Sequence, residues 1–296
     1  MKVSQSFDDR FVRKFKLHQR IGLVLFKTPY LNSLLRKVSG MMLSALEDAD
    51  RWRQRLDYSD VRKRGNANEH GYDKKYGDLV AALTYAKQVD QYEKGLHEHG
   101  EGKILYQQQL ETMRRLIQSE RPKRVLNFGV CFAYVDSILA KEFPDTEFVG
   151  IDLSAYNKAF NETAFPDVPN LKILAGDVFD ELRDGEYRDC ILFHSRTLVL
   201  LPSGFISELY AAAAAAGFKW VVGFEQNGLS EETLEPYVFD TTAKPSIVWR
   251  GGMYIHNYLG LVERAGFAVE SADLFATGHA SPDFKVLRFV ARRTGT

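Results

Sequence analysis

The chain has little of what would build a disulfide or metal scaffold. Its 296 residues include only two cysteines, Cys131 and Cys190, too few for a disulfide framework or a thiolate zinc site. A reducing, cytoplasmic setting is the expectation that goes with so little cysteine. Long apolar runs are also lacking. The best candidate, residues 21–26, has six residues, whereas about twenty are needed to span a bilayer. A signal peptide needs a longer apolar centre, and Asp8 and Asp9 fit poorly with a mitochondrial transit peptide. There is no charge excess either. The 39 Lys+Arg balance 39 Asp+Glu, which argues against a dedicated nucleic-acid binder or an acidic solvating tail. No internal repeat is present. The remaining composition, 45% hydrophobic and 26% charged, is that of an ordinary globular chain.

The balance conceals an asymmetry. Residues 1–40 hold nine basic residues against Asp8 and Asp9, a local excess of +7. Phe11, Phe15, Leu17, Ile21, Leu25 and Phe26 are interleaved with them. Such a basic arm is expected to pack on its own domain or on a second subunit, giving a homodimer through the N-terminal helices. Contact with an anionic membrane surface is the less favoured alternative.

Residues 1–120 read as a helical N-terminal extension. A helix is predicted over 31–56, where Leu34, Leu35, Val38, Met41, Met42, Ala45, Ala49 and Trp52 recur at helical spacing. Helices are also predicted over 79–96 and 104–117, and Pro122 ends the block. From 121 to 296 the pattern changes to alternating strands and helices. Strands are predicted at 124–128, 147–153, 171–175, 190–194, 220–225, 268–275 and 285–291. Helices are predicted at 134–143, 155–163, 203–216 and 255–265. The second of these last two begins at Ile255, and the first ends in six alanines stopped by Gly217. This alternation means a largely parallel sheet covered by helices on both faces. The last two strands have no helix between them, so the final strand is expected to run antiparallel. The connection over 226–254 exceeds ordinary loop lengths and reads as a lid or substrate wall.

In an open α/β sheet, ligands bind beyond the carboxyl ends of the strands. The first strand ends Asn127-Phe128-Gly129-Val130-Cys131-Phe132-Ala133. Gly129 can take positive φ and admit a ligand close to the backbone. The second ends in Asp152, Leu153 and Ser154, where an acid can accept both ribose hydroxyls. The third ends in Asp177, Val178 and Phe179, suited to an adenine amino group and an apolar wall, or simply to a turn. His194 ends the fourth strand, and Glu225 the fifth. His194, Glu225 and His256 are candidates for a general base. His194 can equally serve only to order its loop. Tyr237, Phe239, Trp249, Arg250 and Tyr254 lie in the lid stretch, Asn257 at the helix entry and Arg196 at the end of the fourth strand. Arg196, Trp249, Arg250, Tyr254 and Asn257 are candidates for contact with an acceptor. No metal-ligand set is evident.

Taken in order over roughly residues 118–293, these pieces resemble the class I S-adenosylmethionine-dependent methyltransferases. The likeness rests on 127–133, 149–154, 175–179, the His194 strand end and the antiparallel last strand. It implies a Rossmann-like, mostly parallel seven-stranded sheet and S-adenosylmethionine as cofactor. It also implies cofactor contacts from Asn127, Gly129, Cys131, Ala133, Asp152, Leu153, Asp177, Val178 and His194. The family's first loop reads acid-x-Gly-x-Gly-x-Gly. Here Asn127, Cys131 and Ala133 replace the acid and two glycines, and Asn127 has no charge for the cofactor's ammonium. The helical extension and the 256–258 segment look more like small-molecule or sugar O-methyltransferases. The implied reaction is methyl transfer to a small molecule, with a hydroxyl favoured. A non-catalytic ligand- or partner-binding protein of the same fold is the alternative. A nicotinamide oxidoreductase is disfavoured, because Gly129, Cys131 and Tyr134 stand where Gly-x-Gly-x-x-Gly would be.

Overall fold

The computed structural model describes residues 103–152, 155–229, 238–248, 254–277 and 284–295. The basic arm, the helices expected over 31–56 and 79–96, and Leu153, Tyr237, Trp249 and Arg250 lie outside the described residues. In chain order the elements are α1 (Lys103–Glu120), β1 (Arg124–Phe128), α2 (Tyr134–Glu142), β2 (Glu147–Asp152), α3 (Ala155–Ala164) and β3 (Leu171–Ala175). Then come α4 (Val178–Asp184), β4 (Ile191–Ser195), α5 (Ser203–Ala216) and β5 (Trp220–Leu229). The chain closes with β6 (Ser246–Val248), β7 (Tyr254–His256), α6 (Tyr258–Arg264), β8 (Phe267–Ala276) and β9 (Phe284–Arg293). Among the described residues, no helix is long and apolar enough to cross a membrane.

Seven strands form one sheet in the order β3-β2-β1-β4-β5-β9-β8. The pairs β1–β2, β2–β3, β1–β4 and β4–β5 are parallel. β9 runs antiparallel to both β5 and β8, between which it inserts. The Rossmann-like, mostly parallel seven-stranded sheet with an antiparallel last strand is therefore present. Strand order reverses at β1, so the crevice at the carboxyl ends of β1 and β4 is the switch point where ligands bind in such sheets.

The sheet forms because successive side chains serve two opposite cores. Val125, Phe148, Phe193 and Val222 join the cluster under α1 and α2. Their neighbours Leu126, Val149, Leu192 and Val221 join the cluster under α5 and α6. This two-sided burial explains why the strands read as continuous apolar runs. Leu105, Met113 and Ile117 of α1 share the first cluster, so this helix packs directly on the sheet. The alanine-rich α5 stops where expected. Gly217 takes φ +92°, and Phe218 and Gly217 donate to the Ala213 and Ala214 carbonyls.

Three local expectations need correction. The helix expected from Ile255 begins at Tyr258, because residues 254–256 pair with 246–248 as a short hairpin. β5 continues to Leu229 beside β9, so 226–229 belong to the sheet and not to a lid. Residues 178–184, read only as a strand end and apolar wall, form α4.

Gly223 is needed for close packing. A Cβ there would collide with Cε1 and Cζ of Phe289 and lie 2.8 Å from His194 Cε1. Gly223→Ala is expected to lower stability by about 1–3 kcal/mol, the scale of core overpacking. Urea denaturation would measure it, and an unchanged midpoint would contradict this packing.

Candidate active site

The site is built from how the chain leaves β1. Gly129 turns it with φ +71°, and a Cβ here would collide with the Thr197 side chain that follows β4. Thr197 Oγ1 donates to the Gly129 carbonyl at 3.3 Å, locking the two strand ends together. Cys131 then adopts φ +44° although it is not glycine, a conformation that costs free energy and collects at functional sites. Two groups hold it. The Cys131 N–H donates to Asp152 Oδ2 at 3.0 Å. Asn161 of α3 bridges the loop, accepting from Ala133 N–H and donating to the Cys131 carbonyl, each at 2.9 Å. Ala133 is fully buried under this bridge. Asn127, Gly129, Cys131, Ala133 and Asp152 are thus brought together, and Asn161 joins them without having been anticipated.

On the third strand, Asp177 is the N-cap of α4, its Oδ1 accepting from Phe179 N–H at 2.9 Å. This is the turn chemistry that a Gly-Asp pair favours. Val178 is buried in the core with Phe179, and Phe179 meets Phe205 edge-on at 5.1 Å between ring centres. Phe205 also stacks on Phe128 at 5.7 Å. An apolar aromatic floor therefore lies beside the ends of β1 and β3.

The fourth and fifth strands carry a buried polar network. His194 Nδ1 lies 2.8 Å from Glu225 Oε1, and Tyr210 Oη lies 3.1 Å from His194 Nε2. Neither His194 nor Glu225 has any exposed surface. Burial, and then the Glu225 charge, push the Tyr210 hydroxyl well above its ordinary value. It stays a neutral phenol able to donate to Nε2, which sets the Nδ1–H tautomer facing Glu225. Both ring nitrogens of His194 are thereby occupied. Glu225 Oε1 also accepts from Thr197 N–H at 3.4 Å, while Oε2 is buried without a hydrogen-bond partner among the described residues.

The remaining candidates separate. Arg196 is exposed at the end of β4 with φ +53°. His256 is buried, with Nε2 3.2 Å from the Leu198 carbonyl and Nδ1 without a partner among the described residues. Desolvation lowers it to about 4, so its imidazole is neutral at physiological pH. Tyr254 stacks on His256 at 5.5 Å and keeps partial exposure. Asn257 is fully buried; its Oδ1 accepts from Gly260 N–H to cap α6, and its amide donates to the Asp240 carbonyl. Both ends of that side chain are committed to the fold.

α1 adds residues with no motif to betray them. Gln109, buried, donates to Ser195 Oγ at 2.6 Å. Tyr106 has its hydroxyl raised by burial and by nearby Cys131, and lowered by nearby Arg196. It also meets Tyr134 edge-on at 5.6 Å. Cys131 and Arg196, whose charges act on this hydroxyl, both have positive φ. A helical spacing placed α1, but nothing in it said which side chains would reach the strand ends.

No protein-family model matches the chain, and no curated protein sequence matches it. Solved structures match in fold. One is magnesium protoporphyrin IX methyltransferase from Synechocystis PCC 6803 with bound S-adenosylhomocysteine. It is 12% identical with a TM-score of 0.52, over 75% of this chain and 100% of that one. The same enzyme with bound S-adenosylmethionine matches at 11% identity and a TM-score of 0.50, over 76% and 99%. At these identities the likeness is one of fold: the chain has the fold of class I S-adenosylmethionine-dependent methyltransferases.

Asp136, in the first turn of α2, is buried and hydrogen-bonded to Asn127 Nδ2 at 2.7 Å. Desolvation pushes its carboxyl up to about 6, against a smaller lowering by Asn127. Because the folded value is raised, Asp136 contributes most stability below its unfolded value near 3.8 and loses it as pH rises through 6. Asp136→Asn should therefore gain stability relative to the parent, by about 2 kcal/mol more at pH 8 than at pH 4. Chemical denaturation at the two pH values measures the difference, and a pH-independent difference would show that the carboxyl is not perturbed.

Proposed function

We propose that the chain binds S-adenosylmethionine at the carboxyl ends of β1–β4 and transfers its methyl group to a small-molecule acceptor, a hydroxyl being favoured. The observation that carries this reading is the bond from Cys131 N–H to Asp152 Oδ2. It joins the strand-end acid to the turned loop of β1, at the switch point of a methyltransferase fold. The residues present fit the cofactor. Asp152 can accept ribose hydroxyls, Asp177 and the Phe128–Phe205–Phe179 floor can hold the adenine side, and the 129–133 loop can admit the chain of the amino acid. When bound, S-adenosylmethionine supplies a methyl group on a sulfonium, already attached to a good leaving group.

The protein's contribution is then chiefly alignment and exclusion of water. A hydroxyl acceptor must also lose a proton. His194 has both nitrogens engaged, and its part in this reading is to hold Glu225 and the β4 loop. Glu225 Oε2 and His256 Nδ1 are buried acceptors without a partner among the described residues, and a hydroxyl that reached either would satisfy it. Arg196, Tyr254, Trp249 and Arg250 are proposed as acceptor-binding residues, with the finer identity of a small-molecule or sugar O-methyltransferase resting on the sequence resemblance. A non-catalytic ligand-binding protein of this fold is the second reading, favoured by the burial of all three base candidates.

Titration calorimetry with S-adenosylhomocysteine tests the cofactor reading, with micromolar-range binding expected. Asp152→Ala should weaken it by roughly 1–3 kcal/mol, the scale for losing charged hydrogen bonds. No binding by the folded parent chain would sink the proposal, and an unchanged affinity in the variant would remove Asp152 from the ribose site.

A further inference from the structure

Asp136 has no role in the proposed cofactor contacts, yet its position is unusual. It is 1% exposed and no cationic side chain pairs with it among the described residues. Among the described residues, the side chain that donates to it is Asn127, through Nδ2. Buried carboxylates ordinarily have a cation or several donors, since an uncompensated buried charge is costly. Asn127 stands one residue before the end of β1, at the carboxyl edge, two residues before the Gly129 turn. It occupies the place where the resembling family carries an acid. The negative charge missing at 127 is thus found nine residues later, in direct contact with residue 127.

The chemistry of the pair fixes the amide. An ionised carboxylate can only accept, so the NH2 of Asn127 must face Asp136, and Oδ1 is turned away from it. An amide oxygen so held, with a carboxylate behind it, is a strong acceptor for a cation. It repels an anionic group.

We infer that Asp136 is a positioning residue for the amino-acid end of the cofactor: it orients Asn127 so that Oδ1 accepts from an ammonium group, and it supplies the charge that Asn127 lacks. This inference rests on the S-adenosylmethionine reading. A cation bound at Asn127 also accounts for keeping a carboxyl whose burial works against stability near neutral pH. A purely structural Asn127–Asp136 pair would affect every ligand of the pocket alike, whereas the positioning role singles out ligands that carry the ammonium.

Two probes separate these roles. S-Adenosylhomocysteine has the amino-acid end, and 5′-methylthioadenosine has the same adenosine and thioether without it. In calorimetry at pH 7.5, Asp136→Asn is expected to weaken S-adenosylhomocysteine about tenfold or more and to leave 5′-methylthioadenosine within about twofold. The exchange variant, Asn127→Asp with Asp136→Asn, keeps one amide and one carboxylate in contact. It should bring S-adenosylhomocysteine back to within about threefold of the parent. Equal weakening of both probes, no weakening of S-adenosylhomocysteine, or an exchange variant no better than the single variant overturns the positioning role. If the parent binds neither probe, the cofactor reading fails and this inference fails with it. Thermal melts of each variant establish that the fold is retained.

Discussion

The turn that follows Phe128 governs the whole carboxyl edge of the sheet. A side chain at Gly129 would displace Thr197, and Thr197 is also the residue whose backbone N–H reaches Glu225. The loops after β1 and β4 and Glu225 within β5 are therefore one mechanical unit. Cys131 is held at positive φ by Asp152 on one side and Asn161 on the other. Backbone strain of order 1–3 kcal/mol per residue survives only where surrounding contacts over-determine it. Here those contacts come from β2 and α3, so the loop geometry depends on the parallel pairing of β1 with β2.

Buried charge is handled differently on the two sides of the crevice. On the β4–β5 side, Glu225 is embedded with His194 and Tyr210, so that every hydrogen-bonding atom of the histidine ring is engaged. That network joins β4, β5 and α5, and Gly223 leaves room for it. On the β1 side, Asp136 has an amide for a partner and, among the described residues, no cation. The first arrangement is close to self-sufficient. The second leaves a carboxyl raised to about 6 by burial. This contrast is what makes the β1 side the natural place for a positively charged group.

Much of this was legible from residue order. The strands could be read because each is apolar on both faces, and the helix over Ser203–Ala216 because alanines end at a glycine. The antiparallel last strand followed from a missing crossover helix. Asp152 and the Gly129 turn were legible because strand ends in such sheets have few possible uses. Other features depend on tertiary contacts that no local pattern reports. The Asn161 bridge spans 28 residues to Ala133, and Gln109 reaches Ser195 across 86. The short 246–248 and 254–256 hairpin could not compete with a helical reading, since three-residue strands carry almost no periodicity. Asp136 did leave a trace. It is a charged residue between Val135 and Leu139 on a helix that turns its apolar face to the sheet, but its partner became visible only when β1 was placed beside it.

The most direct measurement is a crystal structure of the chain with S-adenosylhomocysteine. The ribose should lie on Asp152, the adenine beside Asp177 and the Phe128–Phe205 floor, and the ammonium at Asn127 Oδ1 with Asp136 behind it. A nucleotide bound elsewhere, or one whose amino-acid end turns away from Asn127, would contradict the assignment of this crevice as the cofactor site.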